Sequence, residues 1–157
     1  MIEVHHLNNS RSQRILWLLE ELEAPYKIIN YKRDLDTNLA PEKLKTIHSL
    51  GKSPVISIDG KVIIESAAIS TYIIDQYAPS GFSPDQNDED YYKYLELMHY
   101  AEGSAMLPLL LLLYSSSLGE NAEPLMGRIF SEINLHIGYL SECLGDNEFF
   151  FRNKFSG

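Results

Sequence analysis

The chain has 157 residues, of which 45% are hydrophobic and 22% are charged. This is an ordinary composition for a globular protein with one core or two small packed units. Its 13 basic and 22 acidic residues give a formal net charge of −9, which argues against nucleic acid or an anionic membrane as a partner. Cys143 is the single cysteine, so an internal disulfide and a cysteine-based metal cluster are excluded and a cytoplasmic location is expected.

Neither a secretory signal nor a membrane span is expected. The first six residues lack the basic and apolar regions of a signal sequence. The longest apolar run, 106–114, has nine residues, whereas a spanning helix needs about 20.

Apolar periodicity in the first 80 residues predicts the order β-α-β-α-β-β-α. The two runs on either side of Asp59-Gly60 are a strong hairpin signal. His5 and His6 lie in the first strand without acidic or cysteine ligands nearby, so we expect core or edge residues rather than metal ligands. The predicted elements are a strand at 2–7, a helix of about four turns on Ile15, Leu18, Leu19 and Leu22 that ends at Pro25, a strand at 26–31, a short helix at 42–47, strands at 54–58 and 62–64, and a helix from Ser66.

A Pro-, Gly- and Ser-rich stretch at 78–88 predicts a boundary between a domain at 1–80 and an all-helical domain at 88–157. The first helical segment of that domain is interrupted at Gly103 and Pro108. We expect the leucines 109–113 to be buried on all sides and Cys143 to be a buried core residue. The last helix ends at Gly145 and should bury one face, formed by Leu125, Ile129, Ile133, Ile137, Leu140 and Leu144.

The segment Leu50-Gly-Lys-Ser-Pro-Val-Ile56 predicts a loop that becomes a strand at Pro54, because proline lacks the amide hydrogen that an inner strand position needs. The Ser53–Pro54 bond is trans on base rates. A cis bond would instead turn the Ser53 backbone outward, where it can pair with a peptide-like ligand. The sequence leaves both alternatives open.

Three motifs carry a family resemblance: Ser10-Arg-Ser-Gln-Arg14 opening the first helix, the loop Gly51-Lys-Ser-Pro-Val55, and Glu65-Ser66 opening a later helix. In this order and spacing, residues 1–80 resemble the thioredoxin-like, glutathione-binding domain of a glutathione transferase. The remainder resembles the start of that family's all-helical domain. The implied fold is an α/β thioredoxin-like N-terminal domain followed by an all-α domain.

Two details refine this resemblance. The run 9–22, together with Tyr31-Lys-Arg-Asp34, is similar to a fungal and bacterial subgroup of the family. Residues 149–157 resemble the segment before the family's next helix, and the sequence stops there. The sequence is then either part of a longer chain or a naturally short form. We expect the first, with several tens of residues missing from the helical domain.

The resemblance implies a set of glutathione contacts. Ser53 and Pro54 would present backbone to the cysteinyl unit, and Lys52 would pair with the glycine carboxylate. Ser66 would donate to the γ-glutamyl carboxylate at a helix N-terminus, where free amides favour an anion. Glu65 would balance the ligand's amine or a nearby arginine. The plainer reading is that Glu65-Ser66 caps the helix.

Thiol activation is assigned to Ser10, with Asn9 as the alternative, since subgroups of the family differ by one position. The Ser10 hydroxyl would donate to the sulfur, because the thiolate is the nucleophile. The competing interpretation is that Ser10 caps the first helix. Neither tyrosine nor cysteine occurs in this loop, which disfavours subgroups that use those residues.

The resemblance implies a cytoplasmic, homodimeric glutathione transferase of detoxification. It would conjugate glutathione, as co-substrate and without a metal, to a small hydrophobic electrophile. The alternatives are a non-catalytic scaffold or regulatory protein of the same fold, and a glutathione-dependent peroxidase.

Overall fold

The computed structural model describes residues 1–156, which form two compact units, Met1–Phe82 and Ser83–Ser156. The first unit is a four-stranded sheet with helices, in the predicted order. The elements of this unit are β1 Ile2–Leu7, α1 Ser12–Glu21, β2 Tyr26–Tyr31, a 3₁₀ helix Glu42–Thr46, β3 Val55–Ile58, β4 Lys61–Ile64 and α2 Ser66–Tyr77. α1 has ten residues, just under three turns and shorter than predicted, because Glu23 leaves the helical region at φ +50°.

The strand order of the sheet is β2-β1-β3-β4. β1 runs parallel to β2 and antiparallel to β3, with Val4 opposite Ile56. β3 is antiparallel to β4, with Val55 opposite Ile64. The end of β1, the start of β3 and the end of β4 therefore meet at one edge of the sheet, which we call the Leu7 end.

The two faces of the sheet are covered differently. Residues alternate between the faces of a strand, so Ile2, Val4 and His6 lie on one face and His5 and Leu7 on the other. α1 packs against β1 and α2, and it buries Ile15, Leu18 and Leu19, while α2 buries Ile69, Ile73 and Ile74. A second buried cluster consists of Leu7, Tyr31, Leu44 and Val55.

His5 is a core residue, as expected. Its side chain is 2% exposed, and its Nδ1 lies 3.0 Å from the Tyr31 hydroxyl and its Nε2 lies 2.8 Å from the Ser57 hydroxyl. Burial lowers the pKa of His5, because the charged imidazolium is poorly solvated there. Glu3, on the same face, opposes this shift without reversing it.

The second unit is helical. A π-helical turn coincides with the predicted interruption at Gly103, whereas Pro108 is accommodated in the first turn of a helix. Gly145, at φ +53°, ends the last helix where the sequence predicts. The elements are α3 Tyr91–Tyr100, the π-helical turn Ala101–Ala105, α4 Met106–Ser115, a 3₁₀ segment Ser116–Ala122 and α5 Glu123–Leu144.

The predicted burial of the apolar residues in these helices is wrong in several places. In α5, Ile129 is buried, but Leu125 is 45% exposed and Ile137 is 59% exposed. α5 contacts mainly α4 and the segments on either side of α4. These neighbours cover only part of the apolar face of α5. Cys143 is half-buried rather than buried. The leucine run is not buried on all sides either, since Leu109, Leu111 and Leu113 are exposed.

The helical stretch Tyr91–Leu144 is long and apolar enough to cross a membrane, by length and composition only. Within it Gly119, at φ +56° and ψ −134°, breaks the helical geometry. One such stretch is weak evidence for a span, because core helices of soluble proteins meet the same criteria. The expectation of no transmembrane segment stays a prediction.

Burial of His5 predicts how stability depends on pH. Because its pKa is lowered on folding from 6.5, the unfolded chain binds a proton more readily. The contribution of His5 to the free energy of unfolding should therefore be fully present above pH 6.5 and should decrease as the pH falls below that value. Thermal denaturation at a series of pH values should show this fall in the wild type and a flatter profile in His5→Gln. The exposed His99→Gln serves as control; equal slopes in all three proteins would contradict the assignment.

Candidate functional site

The loop after β1 carries the residues that the sequence assigns to chemistry. Asn9 is exposed and adopts φ +52°. The Ser10 hydroxyl accepts a hydrogen bond from the Ser12 amide at 3.2 Å, and the Ser10 carbonyl accepts one from the Gln13 amide at 3.3 Å. The N-cap residue of α1 is Arg11, so Ser10 lies one position before the cap and its hydroxyl binds the first helical amide.

The same hydroxyl belongs to a polar cluster at the Leu7 end, which we call the serine cluster and which comprises Ser10, Ser12 and Ser53. The Ser10 Oγ lies 2.7 Å from the Ser12 Oγ and 3.4 Å from the Ser53 Oγ. Ser53 donates to the His5 carbonyl at 2.9 Å, and the Ser12 Oγ lies 2.8 Å from Nδ1 of His6. Ser12 is fully buried, whereas Ser10 and Ser53 are half-buried.

The loop before β3 brings Ser53 to this cluster. The Ser53–Pro54 bond is cis, which resolves the alternative left open by the sequence. Gly51 is buried at φ +58°, and a Cβ at this position would lie 2.8 Å from Cγ of Lys45, so both conformation and space favour glycine. Lys52, between them, is exposed.

Glu65 and Ser66 lie at the Leu7 end because β4 ends there. Glu65 has φ +68° and ψ +119°, a conformation that a side-chain-bearing residue rarely adopts. Its carbonyl accepts the Ile69 amide at 2.9 Å, while its exposed carboxylate makes no capping hydrogen bond among the described residues. The plain capping interpretation thus fails for the Glu65 side chain. Ser66 is the first residue of α2 and is 7% exposed.

Taken together, the Leu7 end offers hydroxyl groups, a lysine side chain and the N-terminus of α2. A helix N-terminus attracts carboxylates, and hydroxyl donors suit an anion such as a thiolate. The arrangement suits a small, anionic, peptide-like ligand.

Comparisons with known proteins identify the family. The model for the glutathione S-transferase N-terminal domain matches residues 1–75. The chain is 37% identical over 171 residues to glutathione S-transferase 3 of Schizosaccharomyces pombe, which covers 99% of the chain and 69% of that protein. The chain belongs to the glutathione S-transferase family. Glutathione S-transferase 1 of Saccharomyces cerevisiae is 35% identical over 132 residues, covering 79% of the chain and 55% of that protein.

Solved glutathione S-transferases share the fold. The enzyme from Actinobacillus pleuropneumoniae aligns with a TM-score of 0.84 at 29% identity, covering 99% of this chain and 72% of the other. A sphingomonad glutathione S-transferase in complex with glutathione aligns with a TM-score of 0.78 at 23% identity, covering 98% and 75%. The expected fold and the expected glutathione transferase identity are confirmed.

Sequence reasoning missed a residue that holds the Ser10 loop of this transferase. The guanidinium of Arg33 donates to the carbonyls of Asn8 at 3.0 Å, Asn9 at 3.0 Å and Asn38 at 2.9 Å. The Arg33 amide also donates to the Asn8 side chain at 2.9 Å. The basic pair Lys32-Arg33 directly after β2 was the only sequence feature that pointed to this role. Which carbonyls Arg33 binds follows from the parallel pairing of β1 and β2.

Replacing Arg33 should loosen the loop without disturbing the core. In Arg33→Gln the three carbonyls lose their planar, charged donor. We expect amide hydrogen exchange at Asn9 and Ser10 to accelerate several-fold while exchange in β1 stays unchanged. Lys32→Gln, at the exposed neighbouring position, is the matched control. Wild-type exchange in Arg33→Gln would show that the guanidinium does not hold the loop.

Proposed function

We propose that the chain binds glutathione at the Leu7 end and that Ser10 donates a hydrogen bond to its sulfur. A free thiol titrates near 8.5, so a neutral solution contains little of the thiolate nucleophile. A hydroxyl donor beside a helix N-terminus stabilises the anion and lowers the thiol pKa. The observation that carries this proposal is the half-buried Ser10 hydroxyl, 3.4 Å from Ser53 beside the cis proline.

Ser10 is a better donor candidate than Asn9. The Ser10 hydroxyl belongs to the serine cluster, whereas Asn9 is exposed and its carbonyl is bound by Arg33. The contact with the Ser12 amide does not itself compete with thiol activation, because it uses the Ser10 oxygen as an acceptor and leaves the Ser10 proton unused.

The remaining contacts follow the shape of glutathione. Ser53, held by its bond to the His5 carbonyl, precedes Pro54 and is proposed to pair its backbone with the cysteinyl unit. Ser66 and the amides at the start of α2 would bind the γ-glutamyl carboxylate. The exposed Glu65 carboxylate would bind the ligand's amine, and Lys52 the glycine carboxylate.

The reaction is nucleophilic attack by the bound thiolate. The sulfur forms a bond to an electrophilic carbon of a hydrophobic substrate, and the bond to the leaving group breaks or, in an addition, electrons move onto the acceptor. The thiol proton leaves to solvent before the attack. No metal is needed, and the product is a glutathione thioether.

We further propose that the protein is a cytoplasmic, homodimeric enzyme of detoxification. It would belong to the subgroup whose first helix begins with Asn9-Ser-Arg-Ser-Gln-Arg14. The two curated relatives are fungal and both structural neighbours described above are bacterial, which supports that subgroup. A non-catalytic scaffold of the same fold would not need the serine cluster, and its presence supports the enzyme.

Removing the Ser10 hydroxyl tests the proposal. Ser10→Ala should raise the pKa of bound glutathione's thiol by at least about one unit and slow conjugation at neutral pH at least about tenfold, because a charge-assisted hydrogen bond is lost. Ultraviolet absorbance of the thiolate during a pH titration measures the first effect, and a conjugation assay with an aryl halide measures the second. In Asn9→Ala both the thiol pKa and the conjugation rate should stay close to the wild-type values. The reverse pattern would transfer the role to Asn9, and wild-type values in Ser10→Ala would refute the assignment.

A further inference from the structure

The direction in which the Ser10 hydroxyl donates its proton depends on its partners in the serine cluster. Each hydroxyl has one proton and can accept from others. Ser53 donates its proton to the His5 carbonyl at 2.9 Å, so towards Ser10 it acts only as an acceptor. The Ser10 hydroxyl can donate to Ser53, but that contact is long at 3.4 Å, so the orientation of the hydroxyl depends mainly on the 2.7 Å contact with Ser12.

Ser12 has two short contacts and one long one. Its Oγ lies 2.7 Å from the Ser10 Oγ, 2.8 Å from Nδ1 of His6 and 3.4 Å from the Leu7 carbonyl. Because Ser12 is fully buried, water does not complete its hydrogen bonds. At 3.4 Å the contact in which Ser12 donates to the Leu7 carbonyl is too long to compete well for this proton. The proton of Ser12 therefore serves one of the two short contacts, and the partner in the other short contact donates to Ser12.

Two proton orders result, and they have opposite consequences for Ser10. If His6 carries its proton on Nε2, Ser12 donates to Nδ1 and accepts the proton of Ser10, which then points into the protein. If His6 carries its proton on Nδ1, it donates to Ser12, and Ser12 donates to Ser10. Ser10 then accepts from both the hydroxyl and the amide of Ser12, and its own proton has only the long contact to Ser53 at 3.4 Å and is available to a bound ligand.

We propose that His6 is a positioning residue that, through Ser12, directs the Ser10 proton towards the bound thiolate. This inference rests on the proposed function, since it matters only if Ser10 donates to the sulfur. The fold supplies the geometry: alternation along β1 places His6 on the face covered by α1, where Ser12 is the first helical residue. His5, the adjacent imidazole, is separate from this relay, because it faces Tyr31 and Ser57 on the other side.

The test uses two replacements of His6 that have the same shape. Asparagine carries an N–H at the δ position and can donate to Ser12, whereas leucine, with the same branching, cannot. His6→Leu should raise the thiol pKa of bound glutathione by about one unit, so that roughly tenfold less thiolate is present at neutral pH. In His6→Asn the thiol pKa of bound glutathione should stay within about a third of a unit of the wild-type value. Ser12→Ala removes the relay by another route and should resemble His6→Leu.

Three controls separate this effect from a structural one. S-methylglutathione has no thiol, so its affinity by titration calorimetry should be the same in all variants if the rest of the site is intact. His99→Leu and Ser131→Ala, at exposed positions of the second unit, should leave the thiol pKa at the wild-type value.

The outcomes distinguish the relay from the proposed function. If Ser10→Ala does not raise the thiol pKa, the proposed function fails, and the relay fails with it. If Ser10→Ala raises the pKa but His6→Leu does not, the relay alone is overturned. Equal effects of His6→Leu and His6→Asn would likewise overturn it, because packing rather than hydrogen bonding would then be responsible.

Discussion

The antiparallel pairing of β3 with both β1 and β4 is the constraint on which the site depends. With Val4 opposite Ile56 and Val55 opposite Ile64, the segments after β1, before β3 and after β4 meet at one edge of the sheet. A shift of one residue would turn every side chain of β3 to the other face and would carry Ser53 away from the His5 carbonyl. The serine cluster is thus a consequence of strand register.

Much of this arrangement could be predicted from the sequence, because its signals are local. Asp59-Gly60 between two apolar runs predicts the hairpin, and Gly145 predicts the end of α5. The loop before Pro54 and the start of α2 at Ser66 also carry recognisable motifs. Whether Ser53–Pro54 is cis did not follow from the residues alone, since the trans form is commoner in general.

What the sequence could not predict depends on contacts between distant segments. The reach of Arg33 to Asn8 and Asn9 requires the parallel pairing of β1 and β2. The link from His6 to Ser12 requires knowing which face of β1 is covered by α1. The burial of the α5 stripe failed for a related reason: apolar spacing predicts which face is available for packing, but not how much of it neighbouring helices cover.

We propose that the Leu7 end of the first unit is a glutathione site. Titration calorimetry of glutathione into the purified, folded chain tests this most directly. We predict saturable binding of one glutathione per chain, with S-methylglutathione competing for the same site. A folded chain that shows no saturable heat and does not bind S-methylglutathione would contradict the account and favour the non-catalytic scaffold.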